Sequence, residues 1–147
     1  MTPQQRHEPD VTAVIEVQPE PAAIIQVRHA VARLLVSWEL AEVRDDAVLC
    51  LSEALTNAVL HARPARPARP VTVTIHRGLR TLRIEIADAD RGIFLPEPDH
   101  RARPGAPAPD DQPAEHGWGL RVIDALAARW GVDADDVGKR VWFEQDI

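Results

Sequence analysis

At 147 residues the chain has room for one domain with a single core, and its hydrophobic share of 45% and charged share of 27% are those of an ordinary globular protein. A formal net charge of −6 argues against nucleic acid gripped by the whole surface; no apolar run approaches the roughly 20 residues of a membrane helix; and the single cysteine, Cys50, excludes an internal disulfide and any zinc spacing. The simplest expectation is a cytoplasmic protein with no direct nucleic-acid or membrane partner, although the net charge leaves room for a local basic patch.

In chain order, residues 1–10 are polar and read as a disordered tail rather than a secretory leader. Residues 11–17 are rich in β-branched side chains and predict a short strand. Pro19 and Pro21 set up a helix over about 22–40, in which Ile24, Val27, Val31, Leu34, Leu35 and Trp38 recur at helical spacing. A second helix spans about 44–62 and ends before Pro64. Residues 63–70 carry a proline at every third position and read as an extended connector. Strands over 71–76 and 82–87, separated by Gly78, Leu79 and Arg80, predict an antiparallel hairpin. Periodicity disappears over 91–115, a proline-rich stretch long enough to be a functional loop. It resumes over 117–130 through Leu120, Ile123, Leu126 and Ala127, and a last strand covers 140–145. The sum is an α+β two-layer sandwich: a mostly antiparallel mixed sheet covered on one face by about three helices, with residues 11–147 forming a single domain.

The second helix contains a polar stripe. At 100° per residue, Val48, Leu51, Leu55, Ala58, Val59 and Ala62 share a core face, while Glu53, Asn57 and His61, four residues apart, line the opposite side with Cys50 close by. A solvated helix face explains such a stripe without any function. Its chemistry also suits a site, because a carboxamide oxygen is a neutral hard ligand for Mg²⁺ and a carboxylate one turn away can act as a base.

Two glycine sites flank the long loop. The strand over 82–87 runs into Asp88-Ala89-Asp90-Arg91-Gly92, which puts an acid at a strand end beside a turn glycine; a carboxylate there accepts hydrogen bonds from an amino group on a base edge. An ordinary turn gives the same pattern. Gly117-Trp118-Gly119-Leu120 stands at a helix start, where free amides bind phosphate and glycine allows close approach; a plain loop-to-helix junction is the other reading. The chain lacks a Walker-type Gly-x-x-x-x-Gly-Lys-Ser/Thr, and no strand leads directly into Gly117, which disfavours P-loop and Rossmann arrangements.

The order of these elements, a helical Glu-x-x-x-Asn, a strand-end Asp-x-x-x-Gly, a long loop and a helical Gly-x-Gly-Leu, resembles the histidine-kinase-like (Bergerat-type) ATPase family. The string Ser52-Glu53-Ala54-x-Thr56-Asn57-Ala58-Val59-x-His61-Ala62 is similar to its anti-sigma regulatory serine/threonine kinase branch. Trp130-Gly131-Val132, Gly138-Lys139 and Val141-Trp142-Phe143 are similar to small actinobacterial members, so the likeness covers about residues 11–146. The resemblance implies ATP and Mg²⁺ as cofactors. It implies that Asn57 ligates Mg²⁺, that Glu53 is the general base, that Asp88 binds the adenine amino group and that Gly92 shapes the adenine pocket. It further implies a lid over 91–115, with Gly117, Gly119 and Leu120 at the phosphate-binding helix start. Two departures stand out. Asp90 replaces the first glycine of an Asp-x-Gly-x-Gly box, and Arg140 stands after Gly138-Lys139 where the family carries a small hydroxyl residue that supports the adenine-binding acid.

The function implied is an ATP-binding anti-sigma factor that phosphorylates a serine or threonine of an antagonist protein and regulates transcription by partner switching. Its partners would be a sigma factor and that antagonist, and the resemblance permits a homodimer. A different class of reading is an interaction module, with or without nucleotide, that lacks kinase activity. A third, the catalytic fragment of a two-component histidine kinase, needs a phosphoacceptor histidine on a helical hairpin; His29 lies on the first helix, but no hairpin precedes the domain.

Overall fold

The computed structural model describes residues 10–60, 70–88, 114–134 and 138–147. The elements are β1 (Val11–Val17), α1 (Pro21–Ser37), α2 (Ala41–Leu60), β2 (Val71–Arg77), β3 (Thr81–Asp88), α3 (Ala114–Leu126), β4 (Arg129–Ala134) and β5 (Lys139–Asp146). Residues 1–9 of the expected tail, 63–69 of the expected connector and 91–113 of the expected lid, together with His61, Asp90 and Gly92, lie outside the described residues.

The five strands form one sheet in the order β1-β2-β3-β5-β4. All four strand pairs are antiparallel, so the described sheet has no parallel component and is simpler than the mixed sheet expected. Helices α1, α2 and α3 cover one face. The middle helix, α2, packs between the other two and lies over β3 and β5. Alternation along the strands decides what reaches the helices. One row runs Ala13, Ile75, Ile84, Phe143, Trp130 across all five strands, and the next runs Ile15, Val73, Ile86, Val141, Val132. Ile75, Ile84 and Phe143 are fully buried against Val31, Leu35, Leu51, Leu55 and Ile123 from the helices. Removing a side chain of that size from water contributes about 1.5–3 kcal/mol.

The last part of the chain departs from the expected helix over 117–130. That helix ends early, with Ala127 N–H donating to Ile123 O at 2.8 Å, and the next residue already joins the sheet, Ala128 N–H donating to Glu144 O at 2.9 Å. Trp130 and Val132 therefore belong to β4. Trp130 sits at helical spacing from Ile123, Leu126 and Ala127 and at strand spacing from Val132, so periodicity assigned it to the wrong element. Gly131 between them is a poor helix residue, and in β4 it faces Trp142.

Helix α1 starts with Pro21 at its first position after an extended Glu20. It ends in a Schellman turn. Leu40 N–H donates to Leu35 O at 2.8 Å, Glu39 N–H to Val36 O at 3.0 Å, and Glu39 takes the left-handed conformation at φ 60°. The turn drops Leu40 into the core beside Leu35 and starts α2 at Ala41, three residues before the expected 44.

Candidate functional site

Helix α2 buries Ala47, Cys50, Leu51, Ala54, Leu55 and Ala58. This face is rotated from the expected one, and Cys50 is inside it, not beside an exposed polar stripe. Burial, with the charge of Asp46 adding to it, pushes the Cys50 thiol up to about 12, so it is a core side chain with no thiolate chemistry at neutral pH. The side away from the core carries exposed Asp45, Asp46 and Leu49, while Glu53 and Asn57 are half-buried on the flank. A flank is a better place for binding groups than a fully solvated back, because the side chains keep water on one side and are held by packing on the other.

The direction of α2 follows from its start. Arg77 Nη1 donates to Trp38 O at 2.7 Å, which ties the α1–α2 turn to the hairpin end of β2 and β3. From there α2 runs for 20 residues, about 30 Å, over β3 and β5. Asn57, in its last turns, thus lies toward the opposite end of the sheet, where β3 finishes at Asp88. Leu82, Ile84 and Ile86 are buried under the helices, and alternation puts Asp88 on that same covered face, half-buried at the strand end.

Arg140 is not under Asp88, contrary to expectation. The β3–β5 register sets Asp88 opposite Lys139 and Ala87 opposite Arg140. Arg140 therefore projects from the open face of the sheet, where its Nε lies 3.8 Å from a Glu85 carboxylate oxygen. Lys139 is half-buried on the covered face. Sequence reasoning missed this because β3 and β5 are separated by α3 and β4, so no hairpin loop fixes their register.

The expected phosphate-binding glycines fall inside α3. The helix begins at Ala114, so Gly117 and Gly119 occupy its first two turns, and the amides that helix geometry leaves without an acceptor are those of the turn before Gly117. Leu120 follows, half-buried.

The open face of the sheet holds a separate polar lattice. Arg83 reaches Glu85 at 2.8 Å and Glu144 at 2.9 Å, and Arg129 reaches Glu144 at 2.8 Å and Asp146 at 2.6 Å. The Arg83 guanidinium also stacks over the Trp142 indole, 4.2 Å from its centroid. The hydrogen bond from Arg129 holds the Glu144 carboxyl below the usual carboxylate range against its own desolvation, and Arg83 acts in the same direction. These groups satisfy one another and rigidify the floor of β3 and β5 from beneath.

Residues 17–144 match the family of histidine kinase-like ATPase domains. Among solved structures, the RsbU and RsbW domains of Rv1364c from Mycobacterium tuberculosis superpose with a TM-score of 0.63 at 18% identity, over 92% of this chain and 32% of that one. The histidine kinase domain of a blue-light activated histidine kinase from Erythrobacter litoralis gives a TM-score of 0.52 at 20% identity, over 84% of this chain and 59% of that one. The chain spans about a third of the first protein and under two-thirds of the second, and at these identities the likeness is one of fold. No curated protein matches the chain. A family match over most of its length, on a five-stranded antiparallel sheet under three helices, shows that the chain belongs to the histidine kinase-like ATPase domains.

Proposed function

We propose that the chain is an ATP- and Mg²⁺-binding anti-sigma factor with serine/threonine protein kinase activity, which phosphorylates an anti-sigma antagonist and regulates transcription by partner switching. The observation that carries the reading is the placement of Asp88, half-buried on the covered face at the end of β3, the end of the sheet toward which α2 runs with Glu53 and Asn57 half-buried in its second half. The likeness to a mycobacterial protein with an RsbW domain supports the anti-sigma reading.

In this reading Asp88 accepts a hydrogen bond from the adenine amino group, which only an acceptor can do. The donor set fits the metal: Asn57 offers a neutral amide oxygen on a half-buried flank, with Glu53 one turn away and not needed as a ligand. Mg²⁺ when bound would neutralise phosphate charge. Glu53 would take the proton of the substrate hydroxyl. Gly117, Gly119 and Leu120 would meet the phosphates at the start of α3, which requires the first turn of the helix to open and free those amides. Gly92 and the segment over 91–115 would close the adenine side. The sigma factor and the antagonist would compete for one surface of the protein, alone or as a homodimer, in the cytoplasm.

Calorimetric titration of ATP with Mg²⁺ into the parent, Asn57→Ala and Asp88→Asn tests the site. Binding by the parent, weakened about tenfold or more by either substitution, supports it. A parent that binds nothing at millimolar ATP removes the kinase reading and leaves a nucleotide-free interaction module. Transfer of the γ-phosphate to an antagonist domain as an acid-stable phosphoester then separates a serine/threonine kinase from a histidine kinase, whose phosphoramidate is acid-labile.

A further inference from the structure

We propose that Lys139 reads the nucleotide base together with Asp88: the carboxylate accepts from the adenine amino group and the ammonium donates to the ring nitrogen beside it. The inference rests on the nucleotide site proposed above and assigns a specificity-determining residue within it.

Lys139 and Asp88 form the last rung of the β3–β5 ladder. Residues directly opposite in an antiparallel pair have Cβ atoms about 4.5–5.5 Å apart. Both belong to the helix-covered face, as the burial of Ile86 and Leu82 on one strand and of Phe143 and Gln145 on the other requires. The neighbouring Arg140 is exposed and directed to the open face, so it cannot take this role. A half-buried ammonium has lost part of its hydration and needs an acceptor. Among the described residues, no ion pair within 4.0 Å uses Lys139.

The chemistry of the pair is directional. An ionised carboxylate only accepts hydrogen bonds and an ammonium only donates them. Adenine presents a donor, its exocyclic amino group, flanked by acceptors at N1 and N7. Guanine and hypoxanthine carry an oxygen in place of that amino group, so the Asp88 carboxylate would meet an oxygen without a proton between them, and at the N1 edge the ring nitrogen carries a proton and cannot accept from Lys139. Asp88 alone tests for the amino group; Lys139 adds a test for the adjoining nitrogen.

The experiment compares the binding of ATP, 1-deaza-ATP and 7-deaza-ATP, each with Mg²⁺, to the parent, Lys139→Met, Lys139→Arg and Arg140→Met, with thermal melts to confirm folding. The parent should bind one deaza analogue about tenfold more weakly than ATP, the worth of one charge-assisted hydrogen bond. Lys139→Met should bind ATP and that analogue equally, Lys139→Arg should keep a preference, and Arg140→Met should behave as the parent. A parent that binds ATP but shows no ring-nitrogen preference overturns the proposal while leaving the nucleotide site standing. The proposal is also overturned if Lys139→Met weakens all three ligands by the same factor, which would assign the lysine to the phosphates. A parent that binds none of the three removes the nucleotide reading itself, and this inference with it.

Discussion

Gly131 has no space for a side chain. A Cβ built there would lie 2.7 Å from Cζ2 and 2.8 Å from Cε2 and Nε1 of Trp142, directly across the β4–β5 ladder. Carbon contacts are favourable at about 3.5–4.0 Å, so Gly131→Ala forces the indole to shift by on the order of 1 Å. The ring is rigid and cannot bend away as an alkyl chain would. It also carries the Arg83 guanidinium 4.2 Å from its centroid, so its displacement disturbs Arg83 and the carboxylates of Glu85 and Glu144. Overpacking of this kind costs about 1–3 kcal/mol, and a weakened cation–π contact adds about 0.5–1 kcal/mol. The opposing gain, a less flexible unfolded chain, is about 0.4–1 kcal/mol. The net expectation is a destabilisation of about 1–3 kcal/mol, read as a lower midpoint in urea with an unchanged slope and an altered near-ultraviolet tryptophan spectrum. The mechanism is tested by repeating Gly131→Ala in a Trp142→Ala background, where the substitution should be neutral or stabilising. A Gly131→Ala protein as stable as the parent, or an equal loss in both backgrounds, would refute the steric argument.

Three further substitutions have defined outcomes. Glu39→Gly should stabilise the protein by up to about 1 kcal/mol, because Glu39 holds the left-handed position of the Schellman turn, where a Cβ is unfavourable; a lower melting temperature would show that the Glu39 side chain has a role the turn does not explain. Glu144→Gln should destabilise by about 1–2 kcal/mol at pH 7, since the Glu144 carboxyl bonds both Arg83 and Arg129. Its folded pKa is depressed, so the stabilisation is full above the unfolded value of about 4.3 and is lost as pH falls through the folded value. The gap between parent and variant melting temperatures should therefore close on acidification below about pH 4, and a gap independent of pH would contradict the assignment. Gln145→Met should be neutral or stabilising in a denaturant titration: Gln145 is 4% exposed and its Oε1 has no hydrogen-bond partner among the described residues, so little is lost with the amide. A loss above about 2 kcal/mol would mean that the amide is satisfied and structural.

What the sequence determined by itself is what local rules control. Alternation in Val71 to Ile75 and Leu82 to Ile86, and helical spacing from Ile24 to Leu35, fixed two strands and a helix and their buried faces, because side-chain period is a property of the chain. The ordered motif around Glu53, Asn57 and Asp88 carried the resemblance to the histidine kinase-like ATPase domains, the family that the chain matches. Other features needed the tertiary structure. The rotation of α2 that buries Cys50 depends on packing against α1 and α3, since several arcs of that helix are apolar enough to face a core. The end of α3 and the existence of β4 depend on a ladder to β5, whose hydrogen bonds compete with another helical turn for the same residues. The register of β3 against β5 decided that Lys139 stands opposite Asp88 and that Arg140 belongs to the open face, because a shift of one residue between non-consecutive strands exchanges the two faces and nothing local fixes it.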